Sequence, residues 1–251
     1  MNRYTRFAAA AALLLSALAG CKGHRAASED APKAAATADA AVTLGPEIKD
    51  GVMVSMTTTR GEIVLALDHG RAPVSVDNFL MHAERGDYDG TIFHRVIPKF
   101  VIQGGGFTST LQERAKMDEA AGHKDTPIVN EWQNGLKNVR GTIAMARDAA
   151  PDTATREFYI NVWDNPRLDT AREKTGNAGY AVFGRVVKGM DVVDQIKDGM
   201  TGSRPDVLVD GEGMENVPLA PVVILSVKRS APTAANIDGG NPANAVKKMQ
   251  K

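Results

Sequence analysis

The chain has 251 residues, of which 43% are hydrophobic and 24% charged. That is the balance of an ordinary globular protein, and a formal net charge of zero gives no electrostatic footprint for nucleic acid. The single cysteine excludes a disulfide within the chain and a cysteine-rich zinc site.

Arg3 and Arg6 form a positive start, followed by an uncharged apolar run over residues 7–18. The run is too short to span a bilayer comfortably and reads as the core of a signal peptide. It ends in Leu18-Ala19-Gly20-Cys21, which resembles a bacterial lipobox. There the cysteine becomes the acylated first residue of the mature protein. Cleavage after Ala17-Leu18-Ala19, as in an ordinary signal peptide, is the alternative. The lipobox reading predicts a signal peptide over residues 1–20 and membrane attachment through an acylated, palmitate-bearing Cys21. It places the folded part at the bacterial envelope, facing the periplasm, and Lys22 favours the outer membrane. Removing residues 1–20 takes away two arginines and no acids, leaving 28 basic against 30 acidic residues. Residues 21–48 read as a tether. Nine of the sixteen residues 26–41 are alanine, and the stretch has no apolar periodicity. As a flexible chain it would reach on the order of 30 Å.

Residues 49–229 carry the folding signals. Residues 52–58 and 62–68 are β-rich runs around Thr59-Arg60-Gly61, which predicts a hairpin. Val76, Phe79, Leu80 and Ala83 recur at helical spacing, with Pro73 before them and Gly86 after. Residues 91–107 pack aromatic and β-branched residues around Arg95, break at Pro98 and end in three glycines. Two strands with a kink are expected there. Alternation predicts Phe93, Arg95 and Ile97 on one face with Ile92, His94 and Val96 on the other. In the second strand it pairs Val101 with Gln103 and Phe100 with Ile102. His94 reads as a packed strand histidine and the three glycines as turn residues. Residues 104–140 read mostly as loop. Residues 141–146, 157–162 and 181–187 read as strands. Residues 190–196 predict a short helix, residues 202–218 a polar loop and residues 222–227 a last strand. Residues 230–251 read as a disordered tail. Many short strands with two helices point to an all-β barrel or sandwich with helical caps.

Four stretches, in order, resemble the cyclophilin-type peptidyl-prolyl isomerases, most closely the periplasmic bacterial members. The first is Phe93-His94-Arg95-Val96-Ile97-Pro98-Lys99-Phe100-Val101-Ile102-Gln103-Gly104-Gly105. The second is Gly141-Thr142-Ile143-Ala144-Met145-Ala146-Arg147, and the third Glu157-Phe158-Tyr159-Ile160-Asn161-Val162. The fourth is Tyr180-Ala181-Val182-Phe183-Gly184-Arg185-Val186 with Gly189-Met190-Asp191 after it. The resemblance implies a closed eight-stranded antiparallel barrel capped by two helices. It implies an isomerase acting on proline-containing polypeptides as a monomer, without metal or cofactor. It also implies the site: Arg95 as the catalytic arginine, with Phe100 and Gln103 beside it. Val101, Tyr159 and Leu168 would complete an apolar proline pocket. Ala146 and Arg147 would line the peptide groove, Tyr180 would flank the prolyl carbonyl, and Glu157 would lie near Arg95.

Three positions depart from the family pattern. Glu157 replaces a glutamine, and its carboxylate could orient the guanidinium of Arg95 or partly neutralise it. Arg167 replaces an aromatic linked in the family to cyclosporin binding, which implies weak binding of that ligand. Gly106 replaces an aspartate, with little consequence expected. On pattern alone, Phe100, Tyr159 and Leu168 read first as core residues, and Arg95 could be a surface ion-pair partner. A groove that binds proline peptides with little turnover is the alternative function, and a barrel used only as an assembly surface is a third.

Overall fold

The structure is a computed structural model that describes residues 48, 51–209 and 211–230. The stretches read as signal peptide and tail, Cys21, and most of the stretch read as a tether lie outside the described residues. Among those described, no helix is long and apolar enough to cross a membrane.

Among the described residues, ten strands and three α-helices follow in chain order. Strands β1 (Val52–Thr58) and β2 (Gly61–Leu67) form the expected hairpin. Helix α1 (Pro73–Arg85) comes next, then β3 (Thr91–Val96) and β4 (Val101–Thr108). A short helix α2 (Arg114–Ala120) precedes β5 (Thr142–Met145) and β6 (Phe158–Asn161). Strand β7 (Val182–Lys188) leads into α3 (Met190–Lys197). Strands β8 (Thr201–Val209) and β9 (Glu212–Pro218) pair only with each other, and β10 (Ile224–Arg229) closes the domain.

Eight strands form one antiparallel sheet in the order β10-β1-β2-β7-β5-β6-β4-β3. Its two edges meet across a bridge between Ile92 and Val223. Two further bonds, from Phe93 N to Val222 O at 3.2 Å and from Gly90 N to Ile224 O at 2.9 Å, make the sheet a nearly closed barrel. Closure satisfies edge groups that would otherwise pair with other chains. Inside, Val54, Leu65, Phe93, Ile102, Phe158 and Phe183 pack as one apolar core. Helices α1 and α3 add Phe79 and Val193 to it.

Helix α1 shows why its sequence signals work. Pro73 sits at its start, where a missing N–H goes unnoticed. Glu131, distant in sequence, accepts from the amides of Val74 at 3.0 Å and Ser75 at 2.8 Å. Gly86 ends the helix at φ 73°, a conformation glycine adopts without strain.

Four expectations need correction. Helix α2 lies where loop was expected: its seven residues bury only Asp118, so no apolar period marks it. The stretch read as a polar loop is the β8–β9 hairpin, whose first strand is mostly exposed. The glycines read as turn residues lie within β4, and Tyr88 and Phe158 pack where a Cβ on Gly105 would stand. The strict alternation also fails. Register shifts between β3 and β4 put Phe93 and Val96 together in the core. Phe100 precedes β4 and joins Val101 rather than Ile102.

Candidate active site

The face of β4, β5, β6 and β7 turned away from the barrel core carries a second apolar cluster. Val101, Ala146, Tyr159 and Leu168 are buried in it, with Phe100 and Tyr180 partly buried at its rim. Three members escaped the sequence reading: Leu136, Ala144 and Val182. Leu136 comes from a segment without periodicity, and the other two were strand residues whose facing only the register reveals. The Tyr159 hydroxyl donates to Oδ1 of the buried Asn138 at 2.8 Å. Asn138 in turn donates to Asp169 at 2.9 Å and to the Tyr180 carbonyl at 3.3 Å. The pocket wall is therefore pinned from behind by a polar side chain. Leu168 sits on a 3-10 turn over Pro166–Asp169, and its carbonyl accepts from the Tyr180 amide at 2.9 Å. Arg167, one residue earlier, points into solvent.

Beside this cluster runs a groove of about 760 Å³, lined among others by His94, Arg95, Gln103, Ala146, Arg147 and Glu157. Arg95 stands where cluster and groove meet. It faces Gln103 across the β3–β4 pair. Its Nη1 lies 3.4 Å from Gln103 Oε1, and its guanidinium carbon 5.8 Å from the Phe100 ring centre. Burial pulls the Arg95 pKa below its ordinary value, with Tyr180 opposing. An arginine starts so high that the group stays charged.

Glu157 does not pair with Arg95. Its Oε2 accepts from Gln103 Nε2 at 2.7 Å and lies 3.4 Å from His94 Nε2. Burial disfavours its charge, but His94 and the Gln103 amide outweigh that and hold the carboxyl below the usual range. His94 is buried, and its ring lies 4.7 Å from that of Phe107. Arg147 lines the groove, yet its guanidinium is taken up by backbone carbonyls of residues 148–150 and of Thr175, Ala178 and Gly179. Among the described residues no group of three or more His, Cys, Asp or Glu side chains is placed to hold a metal.

The family described as cyclophilin type peptidyl-prolyl cis-trans isomerase/CLD matches residues 53–229, nearly the whole described domain. The chain belongs to the cyclophilin family. This cyclophilin is 47% identical over 175 residues to a peptidyl-prolyl cis-trans isomerase of Streptomyces antibioticus, covering 70% of the chain and 96% of the relative. It is 48% identical over 176 residues to peptidyl-prolyl cis-trans isomerase A of Dickeya dadantii, covering 70% and 83%. With peptidyl-prolyl cis-trans isomerase B of Escherichia coli K12 it shares 46% over 176 residues, covering 70% and 98%. A crystal structure of a cyclophilin type isomerase from Cryptosporidium parvum superimposes with a TM-score of 0.56 at 21% identity. It covers 73% of this cyclophilin and 99% of that chain, a likeness that speaks to the fold.

Proposed function

We propose that the domain is a peptidyl-prolyl cis-trans isomerase, with Arg95 as the catalytic donor. The supporting observation is the position of Arg95 itself: a partly buried cation held between Gln103 and Phe100, at the border of an apolar pocket and an open groove. Rotation about a peptide bond meets a barrier of ~18–20 kcal/mol because the bond has partial double-bond character. An X-Pro bond has nearly balanced cis and trans forms, so a catalyst has only to speed their exchange. It must bind the half-rotated amide better than either planar one. In the twisted state the prolyl nitrogen regains a lone pair, and a guanidinium donor favours that state.

Phe100, Val101, Tyr159 and Leu168 would hold the pyrrolidine ring while the preceding residue turns. Gln103 would bond the substrate backbone, Tyr180 would flank the prolyl carbonyl, and Ala146 would line the path of the peptide. One charged hydrogen bond contributes about 1.5–3 kcal/mol net, so the pocket must supply the rest by immobilising the ring. The named activities of the bacterial relatives point the same way. One solved relative was crystallised in the presence of the dipeptide Ala-Pro.

A protease-coupled assay on an Ala-Pro peptide tests this reading. Wild type should exceed Arg95→Ala by roughly ten- to a hundredfold, the worth of that hydrogen bond. A wild type no faster than buffer would defeat it. Peptide binding without turnover would favour a binding module instead.

We also propose envelope attachment through an acylated Cys21, on the strength of the Leu18-Ala19-Gly20-Cys21 run behind an apolar segment. Proline-containing envelope polypeptides would then be the substrates. Radiolabelled palmitate should enter the wild-type protein and not Cys21→Ser. Equal labelling of both would reject the anchor.

A further inference from the structure

We propose that Glu157 is a positioning residue that fixes the side-chain amide of Gln103, and through it the guanidinium of Arg95, using space left open by Gly106. The inference rests on the isomerase reading and adds a residue that need not touch the substrate.

A glutamine amide has a donor end and an acceptor end of nearly the same shape, so its partners decide which way it points. The partners of Gln103 leave one answer. Glu157 carries an ionised carboxylate, which only accepts, and it takes the Gln103 Nε2 at 2.7 Å. That turns Oε1 towards Arg95, whose Nη1 can only donate, at 3.4 Å. The flipped amide would set oxygen against carboxylate and NH₂ against guanidinium. A glutamine at position 157 could donate or accept and would not make the choice.

Glu157 is itself held. His94 Nε2 stands 3.4 Å from the carboxylate oxygen that binds Gln103, and Phe107 packs against the His94 ring. On the remaining side is Gly106. A Cβ built there would land on the Glu157 carboxylate. The Gly106 backbone lies outside the left-handed region, so conformation does not demand glycine. Room for Glu157 does. The two departures, Glu157 and Gly106, are one adaptation.

The effect should fall on turnover more than on binding, because the apolar pocket, not this relay, holds the prolyl ring. The test is exchange NMR on a proline peptide, with kcat and KM measured for wild type, Glu157→Gln, Glu157→Ala, Gly106→Ala and the double variant Gly106→Ala/Glu157→Ala. Glu157→Gln should lower kcat roughly three- to tenfold, the worth of one hydrogen bond, and leave KM within about twofold. Gly106→Ala should lower kcat similarly in wild type and do nothing further in Glu157→Ala, the non-additivity expected of touching groups. Turnover of Glu157→Gln equal to or above wild type, or additive losses in the double variant, would overturn the proposal. The Gln103 side-chain amide protons give a second readout: they should shift or broaden in Glu157→Gln, and an unchanged pair would overturn it as well. If wild type itself fails to isomerise the peptide, the functional reading falls, while the Gln103 protons still decide the positioning.

Discussion

The guanidinium of Arg147 lies 4.3 Å from the centre of the Tyr180 ring, with its donors spent on backbone carbonyls. It ties the loop after β5 to the loop before β7 and offers Tyr180 a flat cationic seat. Arg147→Met should therefore destabilise the domain by about 1–3 kcal/mol through the carbonyls left unpaired. It should also weaken peptide binding, as Tyr180 loses its support. Arg147→Lys should recover little, since an ammonium cannot reach both loops with a fork of donors. Thermal unfolding and peptide titration of the two variants check this.

Arg156 makes a stronger claim on stability. It is 2% exposed and donates to Asp125 at 2.6 and 2.5 Å and to Asp118 at 2.6 Å. Removing it would leave the partly buried Asp125 without its cation and Asp118 with Arg114 alone. Arg156→Met should cost about 3–5 kcal/mol, read as a drop in urea midpoint. A pH series adds a sign. Burial raises the Asp118 pKa, but Arg156 and Arg114 more than reverse that, so it lies below the ordinary 3.8. The stabilisation is complete above that value and is lost as pH falls through the lower native one. Arg156→Met should start less stable and lose less between pH 5 and 3. An identical slope in both proteins would count against the clamp.

His82 titrates in a milder range. It is fully buried, bonded through Nδ1 to Asp87 Oδ2 at 2.7 Å and packed beside Tyr88, with Asp125 and Arg156 also acting on it. Burial lowers its pKa below the ordinary 6.5, and the bond to Asp87 only partly restores it. The unfolded chain then takes up the proton first. Stability is full above about pH 6.5 and declines as pH falls from there towards the native value. Urea unfolding at pH 7.5 and 5.5 should show the loss in wild type and a smaller one in His82→Gln.

Tyr159 separates ring from hydroxyl. Tyr159→Phe keeps the pocket wall and removes the bond to Asn138, so it should cost about 1 kcal/mol of stability and change peptide affinity little. Tyr159→Ala removes the wall and should cost about 3–5 kcal/mol, with peptide binding largely lost. Equal affinity losses in both would mean that the hydroxyl, not the ring, faces the ligand.

Strands dense in β-branched and aromatic residues were readable from the sequence because burial on both faces leaves a dense local record, as in Thr91–Val96. What escaped is held by partners far along the chain. Helix α2 has no apolar face to advertise; Asp118 is clamped by Arg156, 38 residues later. Phe100 and Val101 join one cluster because Phe100 lies outside the strand, which alternation cannot see. In the site, Arg95 and Gln103 stood out as polar residues among apolar ones. Asn138 did not, since a lone asparagine in a polar stretch looks like any turn residue until Tyr159 rests on it. Gly106 looked inconsequential because its importance is a volume, and Glu157 occupies that volume from 51 positions away.

The seam of the barrel sets an order of events. Strand β3, which carries Arg95, is an edge of the sheet until β10 lies beside it through Ile92 and Val223. Among the described residues β10 is the last strand to be synthesised. A growing chain can form the β1–β2 hairpin early, but it must leave the arginine strand open on one side until β10 arrives. An intermediate halted before that point would expose the raw borders of both β1 and β3, and such a border invites a neighbouring chain to pair with it. The strand that carries the proposed donor Arg95 is thus walled in only when β10 docks.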